Sequence, residues 1–218
     1  MRLSGWQCCV ALVTLLALFL SGCAEFAIES PLDTKDIVFY PQLTGDWSSK
    51  DENGRKEVWT LRAIQDTDMD LYKANKRLYD IDVVSSAPQV RKRYFSGAIG
   101  KIGNLTVFDI IPDAHRSGEE RPGIGWVPVH IVTHIAFEGD DLKVDVLDDG
   151  YDDDDQLCSP QSKLPTAQFD FFFGKGYDES PLIIAKGPQF KAYIQECGSK
   201  GIFKSFRKLT RIPGKRGQ

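Results

Sequence analysis

From Leu43 onward, apolar and polar residues alternate over short stretches separated by turn residues. Val58 to Ile64 is rich in β-branched and aromatic side chains and runs into the turn-forming Gln65-Asp66-Thr67-Asp68. Leu71-Tyr72-Lys73 reads as a strand able to pair back. Leu78 to Val84 alternates along its length. Arg93 to Ile99 and Leu105 to Ile111 flank Gly100-Lys101-Ile102-Gly103-Asn104, which suits a hairpin. Pro112 should end the second of these, because proline offers no backbone donor to a ladder. Residues 113–125 carry Gly118, Pro122 and several charges and read as a long surface loop. Val127 to Glu138 and Leu142 to Leu147 are two more strands, turned at Gly139-Asp140-Asp141. Helical spacing appears late: Phe190, Tyr193, Ile194 and Cys197 share one face, and Gly198 and Gly201 should stop that helix. Ile202 to Ile212 reads as a last strand. Many short strands in hairpin order with one late helix predict a mainly β fold, an antiparallel barrel or a strongly curved sheet. Closing the sheet would remove the exposed edges that no helix is present to cover.

Before this pattern the chain has a different one. Arg2 is followed after a few residues by a short, mostly apolar run, Val10 to Leu20, laid out like a secretory signal and short for a membrane-spanning helix, which needs roughly 20 apolar residues. Leu20-Ser21-Gly22-Cys23 comes next and resembles the lipobox of bacterial lipoproteins: a branched aliphatic residue, two small residues and the cysteine that is acylated. The resemblance implies a signal peptide over residues 1–22 and an acylated cysteine with its tether over 23–38. A single β-rich domain then covers 39–218. It also implies attachment by several acyl chains at Cys23. Each buried methylene contributes about 0.8 kcal/mol, and more than one chain makes anchoring durable. Ala24, rather than an aspartate, follows the cysteine. By analogy with sorting in two-membrane bacteria, this favours the outer membrane, with the domain facing the periplasm or the cell surface.

Loss of residues 1–22 would leave 196 residues, ample for one hydrophobic core, and would take the formal charge from −4 to −5. That balance gives no argument for nucleic acid. The charge is unevenly placed. Asp148 to Asp155 is an acidic run, whereas Lys200, Lys204, Arg207, Lys208, Arg211, Lys215 and Arg216 make the C-terminal end basic with no acid. Cys8 and Cys9 would leave with the signal and Cys23 would carry lipid. Cys158 and Cys197 then remain as a candidate disulfide in an oxidising compartment.

Leu43-Thr44-Gly45-Asp46-Trp47 resembles the start of the first strand in lipocalins and the wider calycin superfamily, which carry Gly-x-Trp there. In that superfamily the tryptophan closes one end of the barrel and stacks under an arginine of the last strand. The resemblance therefore implies structural roles for Gly45, Trp47 and Arg211, with Arg207 the less favoured partner. The sequence lacks the Thr-Asp-Tyr element that many lipocalins carry. Phe108-Asp109-Ile110-Ile111-Pro112, Pro128-x-His130 and Asp141-Leu142-Lys143-Val144 also resemble a group of uncharacterised bacterial lipoproteins.

His130 and His134 are the histidine pair that first invites a metal. On a helix they could chelate zinc together. On an extended strand they share a face but sit roughly 13 Å apart, too far for one ion. They are candidates for a polar barrel face or a cavity wall. The aspartate run lacks the Asp-x-Asp-x-Asp-Gly register of a calcium loop and reads as a solvated segment. No nucleophile elbow, metalloprotease, Walker or dinucleotide motif is present, so no catalytic residue, metal or cofactor is assigned. The expectation is a membrane-anchored envelope protein whose barrel takes a small apolar or lipid ligand. Trp59, Tyr79, Phe95 and Phe108 would either line or fill its interior. The alternative is a non-enzymatic protein acting on an envelope partner through surface loops.

Overall fold

The structure is a computed structural model and describes residues 26–27, 29–50, 54–64, 78–86, 91–113, 129–147, 158–173 and 176–213. The signal, Cys23, the Leu71 strand, most of the 113–125 loop with His115, and the acidic run lie outside these residues. In chain order the strands are β1 (Phe26–Ala27), β2 (Gly45–Lys50), β3 (Lys56–Ala63), β4 (Leu78–Ser85), β5 (Arg91–Ile102), β6 (Leu105–Pro112), β7 (His130–Glu138) and β8 (Asp141–Leu147). A helical turn α1 (Pro160–Lys163) leads into β9 (Thr166–Phe173) and β10 (Gly176–Ile183). Helix α2 (Gly187–Cys197) and β11 (Phe203–Arg211) complete the order.

Hairpin pairing carries the sheet from β2 to β8, with every neighbour antiparallel. Strand β11 then lies between β8 and β2, which closes a ring of eight strands. The fold is thus an antiparallel β-barrel with, among the described residues, one helix of substantial length near its C-terminal end.

Period-two alternation divides each strand between two environments. Trp47, Leu61, Tyr79, Ile81, Val83, Ile99, Phe108, Ile135, Leu142 and Leu209 point inward and form the barrel core. Their alternates face out. On most of the wall they meet solvent, but on β6, β7 and β8 they meet a second core. There Val107, Val132 and Leu147 pack with Ala185 and with the apolar face of α2, Phe190, Tyr193, Ile194 and Cys197. The 3.6-residue stripe on α2 and the two-residue stripe on the wall are therefore complementary surfaces. Pro188, in the first turn, costs the helix no internal hydrogen bond. The side chain of Gln189 accepts the Lys186 N–H at 3.2 Å and caps the entry.

The short strand β1 uses a ladder position that β8 leaves open. Ile131 pairs with Ile110 on one edge of β7, so Phe26 meets it on the other edge, beyond the reach of β8. Strand β10 adds to β1 in parallel and β9 to β10, extending the sheet beyond the barrel. Residues 29–40 then cross the wall of β5: Ile37 bridges Gly100, and the Val38 N–H donates to Ile99 at 2.8 Å. The described part of the expected tether is thus packed on the domain.

Candidate functional site

One end of the barrel is closed by the segment that enters β2. The 3-10 turn Pro41–Leu43 seats Leu43 in the core with no exposure. Gly45 then takes φ 124°, a conformation closed to most side chains, which turns the chain into the strand. Trp47 is buried against this turn and donates its indole N–H to the Leu43 carbonyl at 2.9 Å. Arg211 pairs with Trp47 across the sheet and holds its guanidinium 4.2 Å from the ring centre. It also donates to the carbonyls of Thr44, at 3.2 Å, and Gln42. Gly45, Trp47 and Arg211 are thus brought together as one closure.

Tyr79 and Phe108 fill the closed half, meeting edge to face at 6.2 Å. The Tyr79 hydroxyl accepts the Tyr40 N–H at 2.7 Å and donates to the Tyr40 carbonyl at 3.2 Å. Burial pushes this phenol up to about 12.

The other half is not filled. A cavity of about 150 Å³ lies there, with Trp59, Ile81, Val83, Phe95, Ile110, Ile131 and Val144 in its walls. Of the four strand aromatics singled out in the sequence, Trp59 and Phe95 line this space and the other two fill the core. The cavity has one charged group of side chains. Glu57, 3% exposed, accepts a hydrogen bond from Arg93 at 2.6 Å and lies 3.8 Å from the Nε of Arg207. A carboxylate taken out of water this far needs such partners, since desolvation costs several kcal/mol per ion. The Arg93 side chain remains 54% exposed and so connects the cavity to solvent.

Arg207 reaches this space because β11 is irregular. Ser205 pairs with Asp145 and Arg207 with Val144, leaving Phe206 as an extra residue between them. A bulge of this kind shifts all later side chains to the opposite face. Without it, Arg207 would point out of the barrel.

His130 and His134 lie on β7 with Ile131 and Thr133 between and beside them, and it is these two neighbours that line the cavity. The histidines face the other way, towards the second core. His130 Nδ1 is 2.9 Å from both carboxylate oxygens of Asp109, and His134 Nδ1 is 3.3 Å from Asp145. Asp109 and Asp145 are buried, and Lys143 adds a second contact to Asp145 at 3.1 Å. Each histidine therefore serves its own carboxylate under the outer layer, and they share no site. The structure joins Cys158 and Cys197 in a disulfide, which ties the segment before α1 to the end of α2.

Sequence reading left out Glu57 and Arg93. The strand expected from Val58 starts two residues after β3 does, although extending the inward series Leu61, Trp59 by two residues reaches Glu57. Arg93 is likewise two residues before Phe95 in an inward series.

The fold and the site define a closed eight-stranded antiparallel barrel, consistent with a lipocalin-like barrel, that holds an apolar cavity. No family model, curated protein or solved structure matches the chain. The functional reading therefore rests on the site.

Proposed function

We propose that this protein is a bacterial envelope lipoprotein, anchored through acylated Cys23, whose lipocalin-like barrel binds a small apolar ligand or the end of a longer acyl chain. The observation that carries the binding half is the 150 Å³ apolar cavity beside a closed end that Tyr79 and Phe108 fill. An unfilled space of this kind lowers stability, by about 24 cal/mol per Å³ in engineered cavities. Its retention in the wall-lined half is accounted for by an occupant. The volume limits that occupant: a cavity of about 150 Å³ lined by aliphatic and aromatic side chains takes a molecule near benzene in size. A larger ligand would leave its remainder outside, past Arg93.

The anchor half rests on the lipobox, and the tether supports it in one respect. Strand β1 begins three residues after Cys23, so the domain would sit close to the membrane surface rather than on a long stalk.

Two experiments test the two halves. Fatty-acid labelling of the full-length protein should vanish in Cys23→Ala; label that persists contradicts the anchor. For the barrel, benzene should raise the unfolding temperature of the wild type and leave Val144→Phe unchanged, because the new ring occupies the cavity. An equal rise in both proteins, or none in either, contradicts binding within the barrel.

A further inference from the structure

The cavity does more than set a ligand's size, because the charged side chains in its wall carry a net positive charge. Among the cavity-lining residues the charged ones are Glu57, Arg93 and Arg207, two cations against one anion. Arg93 gives one of its nitrogens to Glu57 and keeps a side chain that is 54% exposed. A guanidinium carries five N–H donors, so several remain to face the cavity entrance. The Trp59 indole N–H is buried without a hydrogen-bond partner. An unmet buried donor is uncommon and costs about 1–3 kcal/mol. Thr133 also lines the cavity, but its hydroxyl already donates to the Phe108 carbonyl at 2.9 Å. Arg207 donates to the Phe206 carbonyl at 3.0 Å and lies beside Glu57, so Arg93 and the Trp59 indole are the donors on which the ligand's class turns.

The geometry points to an anionic amphiphile as the ligand: a short apolar tail in the cavity, with a carboxylate or similar acidic head received by Arg93 at its entrance. This rests on the proposal that the barrel binds a ligand and adds the ligand's chemical class. Strand pairing supports the arrangement. Trp59 pairs with Val83 and Val83 with Arg93, so the two donors sit two strands apart on one level, roughly 10 Å across the wall. A head group held by Arg93 can therefore keep its tail among Ile81, Ile131 and Val144 while an acceptor atom near the head approaches Trp59. Glu57 sets the strength of this site. It holds Arg93 in place and also offsets part of its charge, so an arriving anion competes with a carboxylate already present.

The test uses the full-length chain in phosphatidylcholine nanodiscs and two probes of equal length, ω-bromo-octanoate and ω-bromo-octanol, read by bromine quenching of tryptophan fluorescence. Partition into lipid is common to all variants, so differences between variants report the barrel. At neutral pH the carboxylate should bind the wild type about tenfold tighter than the alcohol, the scale of one charge-assisted hydrogen bond. Arg93→Met should bring the ratio of carboxylate to alcohol affinity close to one, and Arg93→Lys should keep part of the preference. Glu57→Gln should raise the ratio of carboxylate to alcohol affinity several-fold, which keeps the inference testable if Arg93→Met folds poorly. Equal binding of the two probes, both lost in Val144→Phe, would overturn the anionic class while leaving the barrel as a binding site. Quenching that Val144→Phe does not reduce would overturn both.

Discussion

Arg211 links three things that are far apart in sequence: the last strand, the first barrel strand and the turn that precedes it. Its guanidinium covers Trp47 and donates to two carbonyls of the closing segment. Arg211→Met should keep the stem packing and lose the charge, the stacking and both hydrogen bonds. The expected cost is about 2 kcal/mol, read as a lower denaturant midpoint at unchanged slope. A change within about 0.5 kcal/mol, the range of an ordinary surface substitution, would contradict the role. This closure was legible, because Gly-x-Trp and a late arginine are themselves sequence signals. Tyr79 was legible only as a strand aromatic, since nothing in sequence shows that its hydroxyl meets Tyr40. The phenol's pKa is raised from its ordinary value of 10.0 to about 12, so the folded state holds its proton longer than the unfolded chain. The stability this gives is fully present below pH 10 and is lost as pH rises from 10 to 12. Tyr79→Phe should flatten that alkaline decline in equilibrium unfolding.

Elements differed in how readable they were. Helix α2 stood out because four apolar residues at helical spacing precede a glycine, and those same four form its buried face. Strand β4 stood out because one of its faces is apolar and the other polar, and β5 to β8 because apolar, β-branched and aromatic residues run between clear turn signals. Strands β9 and β10 did not. Their register places Phe169 opposite Ser180 and Phe171 opposite Asp178, and the run Phe171-Phe172-Phe173 breaks any alternation. The bulge in β11 was equally hidden, since one extra residue leaves no compositional trace. The crossing of residues 29–40 over β5 depends on Gly100. A Cβ there would stand 2.9 Å from the Asp36 carbonyl oxygen and 2.6 Å from Leu32. Gly100→Ala should therefore cost roughly 1–3 kcal/mol, the range for overpacking, and expose the segment to protease. Cleavage no faster than in the wild type would argue against that packing.

The whole molecule is a barrel held against a second layer by a few long-range ties. The disulfide closes a separation of 39 residues and fixes the end of α2. Lys191 on α2 reaches Asp33 at 3.3 Å and Asp36 more closely, tying the helix to the crossing segment. Burial works to raise the Asp36 carboxyl, but hydrogen bonds from Lys191 and the Asp33 backbone outweigh it and hold it below its usual range. That contribution is present above the unfolded pKa near 3.8 and is lost as pH falls through the lower folded value. Unfolding at mildly acid pH should therefore separate wild type from Asp36→Asn, and the gap should narrow as pH falls. The disulfide was a candidate in the sequence, because Cys158 and Cys197 are the pair left once Cys8, Cys9 and Cys23 are set aside, whereas the Lys191 ties join residues that only the fold brings together. The alternation that predicted a barrel was local and therefore visible. Whether the barrel would be filled or hollow depended on volumes summed over eight strands, which no single stretch displays. The most direct measurement of that hollow is native mass spectrometry of Ala24–Gln218, exported and purified without added detergent or lipid. We expect a reproducible added mass that extracts as one class of small amphipathic acid and is missing from Val144→Phe. A clean apo mass for the wild type, unchanged after exposure to envelope extract, would contradict a ligand-binding barrel.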